Sequence, residues 1–208
     1  MKASLVSKRI SAFLIDILFL FIVINLIMSI KFINPYYDKY VESYENYNEI
    51  VEKYNNKELT EDDFTKLYVQ NYYQVTKYSI SYNIIIVVCI ILYFVLFQKF
   101  NNGQTLGKKL MRLKVVDSTE EKNVSILKYL IRSLSVYYIY IGGILPIIIN
   151  CILIFILSPS SYMTISMVIS YAFLIISIVS LVMINVRKDE KGIHDLLANT
   201  KVIYINKN

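Results

Sequence analysis

Residues 10–30 read ISAFLIDILFLFIVINLIMSI, twenty-one positions with neither Gly nor Pro and a single charge, Asp16. About 20 helical residues cross the roughly 30 Å hydrocarbon core of a bilayer, so this run is long enough to span one. Lipid supplies no water to backbone N–H and C=O groups, and a lone run satisfies them only as a helix. Lys2, Lys8 and Arg9 precede it, as basic residues precede the apolar part of a signal peptide. Its length, its Asp and the lack of an A-x-A cleavage site predict instead a helix that is retained.

Three more runs of this kind follow, at residues 79–97, 134–157 and 162–186. The 208-residue chain is 56% hydrophobic, lacks Trp and has only five Gly and three Pro. Apolar mass gathered into so few blocks predicts an all-α membrane protein with about four transmembrane helices, residues 1–208 forming one membrane domain.

The charges give that domain a direction. The net charge of +6 would suggest nucleic acid in a soluble protein. Here the bases flank apolar runs, so no nucleic-acid partner is expected and the lipid bilayer is. Residues 31–78 hold six Lys against nine acids, residues 99–132 eight bases against three acids, and residues 187–208 five bases against three acids. Basic segments lie on the inner side of a membrane, which predicts a multi-pass protein with both termini cytoplasmic, 99–132 as a cytoplasmic basic loop and 187–208 as a cytoplasmic tail. The abundance of Ile, Asn, Lys and Tyr reads as an AT-rich bacterial genome, so the membrane is expected to be a bacterial plasma membrane.

The 31–78 segment is predicted to form an extracellular helical hairpin. Tyr37, Tyr40, Tyr44, Tyr47, Val51 and Tyr54 recur at spacings of 3 and 4, an apolar seam on one helix. Asn55, Asn56 and Lys57 read as a turn. Thr60 with Asp63 then resembles a capping box opening a second helix, whose seam is Phe64, Leu67, Tyr68, Tyr72 and Val75. The tyrosines either zip the pair or line a ligand surface.

The basic loop holds GQTLGKKLMRLKVVD at residues 103–117. Thr105 is predicted to cap a short helix, and Leu113 to Val116 to form a brief strand. In the tail, GIHDLLAN reads as a helical turn and Lys201 to Ile205 as a strand. The two strands can pair, giving a small cytoplasmic cap of short helices and a two-stranded β pair.

Asp16 carries the most chemistry. Insertion of a charge at mid-membrane costs about 2.5–3.5 kcal/mol, so such an acid needs a partner, a proton or an ion. A structural hydrogen bond and an ion- or proton-binding role both remain open. Arg9 lies two turns earlier on nearly the same face, but about 10.5 Å away along the axis and leaning towards the N-terminus, so it does not reach Asp16. By itself it can anchor at headgroup depth. Arg132 is the best-placed basic partner for a buried acid. His194 and Asp195 sit together, and Asp195 can accept hydrogen bonds at a helix start or pair with a base of the inner loop. Lys108, Lys109 and Arg112 can meet anionic lipid headgroups, each worth about 1 kcal/mol.

No nucleophile–base constellation, metal-ligand spacing or P-loop occurs, so no enzyme activity, catalytic residue, metal or cofactor is expected. Cys89 and Cys151 lie alone within apolar runs and read as small packing residues.

Three blocks, SKRISAFLID with Arg9 and Asp16, then GQTLGKKLMRLKVVD, then KGIHDLLANTKVI with Asp195, resemble the RDD family of small membrane proteins. The resemblance covers most of the chain outside 31–78. It implies that the Arg and two Asp for which the family is named are Arg9, Asp16 and Asp195. It also implies suspected transport, cation/proton antiport among the associations. Asn199 stands where the family often has Gly, and a left-handed turn tolerates Asn. Two functions remain open. In a transporter of a small ligand, or of cations against protons, Asp16 would bind, and so few helices call for a homodimer or larger assembly. In a non-catalytic adaptor or assembly factor, the polar residues would knit the helices while the hairpin meets a membrane-protein partner.

Overall fold

The computed structural model describes residues 4–30, 32–119, 124–135 and 144–205. The protein is a predominantly helical membrane protein with a small two-stranded sheet. Among the described residues three helices are long and apolar enough to cross a bilayer: α1 (Leu5–Met28), α4 (Ile80–Phe100) and α8 (Pro159–Val186). The sequence places a further span at 134–157. Its described parts are the end of α6 (Ile126–Ser135) and the shorter apolar helix α7 (Ile144–Ile156), while residues 136–143 lie outside the described residues.

The large apolar side chains left on the surface of these helices fit lipid. On α1, Leu14, Leu18, Phe21 and Ile22 face outward, and on α8 Val168, Tyr171, Ile175 and Val186 do so. In water such a continuous apolar surface would drive association. The opposite face of α1 is Ala12, Asp16, Leu20 and Ile24, buried at a strict spacing of four. A carboxylate therefore sits in the middle of the packed stripe.

The chain divides into two compact units. The first comprises Met1–Asn25, Ile86–Leu145 and Phe173–Asn208. It holds the short elements α5 (Leu106–Leu110), β1 (Leu113–Asp117), α6, α9 (Ile193–Leu197) and β2 (Thr200–Tyr204). The strands pair antiparallel, Leu113 opposite Tyr204, Val115 opposite Val202 and Asp117 opposite Thr200. A two-stranded pair is marginal unless it packs on something. Here Leu113, Val115 and Val202 join Ala12, Val95, Val124 and Tyr129 in one buried cluster.

Local signals set these elements. Thr105 caps α5 by accepting the Lys108 amide, as its sequence position predicts. Asn199 has φ 49, the left-handed conformation Asn tolerates, and it turns the chain from α9 into β2. Between Ile91 and Phe97 α4 widens into a π-helical segment, which nothing in its apolar sequence announces.

The second unit comprises Leu26–Ile85 and Pro146–Ala172. Its main feature is a helical hairpin of α2 (Tyr37–Asn55) and α3 (Glu61–Tyr78). Thr60 caps α3 and also donates to the Asp63 carboxylate at 2.7 Å. The seam is aromatic: Tyr54 stacks on Phe64 with ring centroids 4.0 Å apart, and the Tyr47 and Tyr68 hydroxyls lie 2.8 Å apart. Tyr73 donates to the Ile154 carbonyl at 2.6 Å and meets Tyr162 edge-on, fixing α3 against α7 and α8.

Candidate functional site

Asp16 is 1% exposed and accepts three hydrogen bonds. The Tyr93 hydroxyl donates at 2.6 Å, the Thr105 hydroxyl at 2.5 Å and the Gly107 amide at 2.7 Å. Each donor has a local reason. Tyr93 lies in the π-helical segment of α4 and also accepts the Leu106 amide at 3.0 Å. Thr105 is the cap of α5, and Gly107 sits in its first turn. A Cβ at Gly107 would lie 2.0 Å from the Ala12 carbonyl oxygen, so only glycine lets α5 approach α1 this closely. The GQTLG stretch is thus a backbone socket for the carboxylate of the first helix.

Asp195 is completely buried and forms a second knot. Arg9 donates to it at 2.5 Å, Arg132 donates to its other oxygen, and the Gly192 amide donates at 3.1 Å. Arg9 also donates to the Glu190 carbonyl at 2.5 Å, and Arg132 to the Thr200 hydroxyl at 2.9 Å. The start of α1, the end of α6, α9 and β2 therefore converge on one carboxylate. Burial alone would raise the Asp195 pKa; the guanidiniums of Arg132 and Arg9 outweigh it and hold the carboxyl well below the usual range. His194 lies 3.3 Å from Asp195 and 3.2 Å from Arg9. Burial, reinforced by Arg132, Arg9 and Lys108, pushes its pKa down to about 3, so the imidazole is neutral at physiological pH.

Lys108 departs from expectation. Lys109 and Arg112 are exposed, where a headgroup can reach them. Lys108 instead turns inward: its ammonium lies 3.3 Å from the Thr105 hydroxyl, 4.0 Å from the Asp16 carboxylate and 5.6 Å from the centre of the Phe94 ring. The reason is the cap itself, which aims the third residue of α5 back along Thr105 towards Asp16. Burial lowers its pKa to about 8, Arg132 and Arg9 adding to the effect and Asp16 opposing it.

These groups edge a cavity of about 170 Å³. Arg9, Asp16, Lys108, Arg132, Ser180 and His194 line its polar part. Among the described residues no three His, Cys, Asp or Glu side chains gather as metal ligands would.

All five polar-network candidates from the sequence, Arg9, Asp16, Arg132, His194 and Asp195, lie in this region, in two knots rather than one. Arg9 serves Asp195, not Asp16. Tyr93, Thr105 and Gly107 as the donors to Asp16 escaped the sequence reading. The readable hint was a tyrosine in the later half of an apolar span, together with a Thr cap and a Gly two residues on.

No curated protein and no solved structure matches the chain. One family model, described as the RDD family, matches residues 3–199. That stretch includes Asp16 and Asp195 with their Tyr93, Thr105, Gly107, Arg9 and Arg132 partners and ends just before β2, and the chain belongs to the RDD family.

Proposed function

We propose that this membrane protein carries a small ligand across the bilayer together with a proton, the Lys108–Asp16 pair being the group that takes up and releases the proton. One observation carries the reading: a buried ammonium with a pKa near 8 stands 4.0 Å from a carboxylate in the wall of a cavity. A purely structural lysine has no need of that position, because Asp16 already receives three donors. The same saturation argues against a bare metal cation as cargo, since it would have to displace the Thr105 and Tyr93 hydrogens from the carboxylate.

In this reading the protein lies in a bacterial plasma membrane. Residues 99–132 and 187–208 and both termini are cytoplasmic, the Tyr-rich hairpin is outside, and assembly as a homodimer supplies the further helices that a pathway needs. Positive charge flanking the knots and its deficit in the hairpin support this orientation. A second reading, a non-catalytic adaptor, is favoured by the donor saturation of both aspartates, which a purely structural role explains.

The test is proton movement in proteoliposomes, read by a trapped pH dye. Na⁺, K⁺ or hexyl phosphate, an impermeant organic anion, is supplied outside. Native protein is expected to couple proton movement to hexyl phosphate, and Lys108→Met to abolish it. Silence of the native protein with all three probes, or flux unchanged by Lys108→Met, leaves the adaptor reading.

A further inference from the structure

The cavity beside Lys108 has two chemically different parts. Its polar part carries more positive than negative charge. Lys108 faces Arg9 and Asp16 from α1, Arg132 from α6 and Asp195 from α9, three cations against two carboxylates; the half-buried Glu190 acts on Arg9 from outside the cavity lining, His194 is neutral, and Tyr93 and Phe94 of α4 are uncharged. Asp195 is already shared between the two arginines, and Asp16 lies at the outer limit of a contact with Lys108. An excess cation in a low-dielectric site is costly unless an anion joins it. Lys108 has three donor hydrogens, and its only hydrogen bond among those described is to Thr105.

The other part is aliphatic and aromatic. Val6, Ile10 and Phe13 of α1 face Leu174, Ile178 and Leu181 of α8 across it. Ile10 is 44%, Ile178 53% and Leu181 46% exposed, so these walls reach the apolar outer surface of the helices. A cavity of about 170 Å³ is close to the roughly 150 Å³ that admits one benzene, enough for a small head group and a few methylenes. The rest of a chain can leave between α1 and α8 into lipid.

From this juxtaposition we propose that the cavity binds an anionic amphiphile, a phosphate or carboxylate head on one alkyl chain, with the head on Lys108 and Arg132 and the chain between α1 and α8. This rests on the reading that the cavity takes a ligand, and names that ligand's class. The occupant is drawn from the membrane rather than from water: charge complementarity selects the head, and the outward-reaching apolar walls select the chain. Binding of the anion stabilises protonated Lys108, so ligand and proton enter together.

The experiment is calorimetric titration of the purified full chain in detergent with hexyl phosphate, hexanoate, hexanol and inorganic phosphate. Hexyl phosphate or hexanoate, whichever head the site prefers, is expected to bind at least about tenfold more tightly than hexanol, the factor one charge-assisted hydrogen bond gives. It is also expected to bind more tightly than inorganic phosphate, and to weaken as pH rises past 8. Lys108→Met is expected to remove the advantage of the charged head. Ser177→Phe, which fills the cavity from α8 without altering charge, is expected to weaken binding of the alkyl anions, and it serves if Lys108→Met does not fold. Hexanol binding as well as both anions, inorganic phosphate binding as well as hexyl phosphate, or tight binding unchanged by either variant would overturn the proposal. Binding without coupled flux overturns the transport reading alone, and flux driven by Na⁺ or K⁺ with no alkyl-anion binding overturns this inference alone.

Discussion

Arg9 and Asp195, 186 positions apart in sequence, form a 2.5 Å ion pair that fastens the start of α1 to α9. Arg132 completes the knot from α6. Removing the acid leaves two guanidiniums buried against each other, and an uncompensated buried charge costs about 3–5 kcal/mol. Asp195→Ala is therefore expected to lower the unfolding temperature in detergent by far more than an exposed control such as Asp189→Ala. Equal unfolding temperatures for the two variants would contradict the knot.

His194 gives the fold a pH dependence with a definite sign. Burial holds the folded imidazole neutral down to about pH 3, whereas an unfolded histidine takes a proton near pH 6.5. Between those values the unfolded state binds more protons, so stability rises with pH there and is complete above about 6.5. The depressed carboxyl of Asp195 adds a further loss below about pH 4, the usual carboxylate value. Thermal unfolding followed by circular dichroism from pH 7 to 4.5 is expected to show falling stability in the native protein and a flatter profile in His194→Gln.

Gly107 is the position where a single methyl group does the most damage. Its Cβ would meet the Ala12 carbonyl oxygen at 2.0 Å and an Asp16 oxygen at 2.9 Å. Neither atom is the end of a flexible chain, so α5 must lift away and the Gly107–Asp16 hydrogen bond must break. Gly107→Ala is expected to cost about 3 kcal/mol or more, the upper end for overpacking. The loss should show as poor yield of folded protein in detergent, and Gly192→Ala provides a comparison whose nearest atom is a Ser180 hydroxyl.

Asn199 tests the left-handed turn into β2. At φ 49 a residue without Cβ pays no steric penalty. Asn199→Gly is expected to unfold within a few degrees of the native protein. Asn199→Val is expected to lose about 1–2 kcal/mol, the cost of the left-handed region for a branched side chain. Unfolding curves of the two variants read the difference directly.

What was legible in the sequence was whatever is decided locally. An unbroken apolar run from Ile10 announces a helix; Thr60 and Thr105 announce caps, and the seam from Tyr37 to Tyr54 announces one face of a hairpin. Partner choice was not legible. Arg9 and Arg132 meet at Asp195 across separations of 186 and 63 residues, and no spacing rule reaches that far. The π-helical segment at Ile91–Phe97 reads as an ordinary apolar helix, yet it carries the Tyr93 hydroxyl that binds Asp16. Lys108 and Lys109 are neighbours of the same type in one basic run. Only the packing of α5 on α1 shows that the first faces a carboxylate and the second faces outward.

Proton-coupled transport by this protein depends on a proton held at Lys108. Nitrogen-15 NMR of the lysine ammonium groups in the purified full chain, with the Lys108 signal identified by its loss in Lys108→Met, reads that proton without assuming any cargo. The expected result is a titration midpoint near 8 that moves upward when hexyl phosphate is added. A midpoint at about 10.4, the value of a lysine in water, would mean that the ammonium is solvated and that Asp16 has no proton-carrying partner.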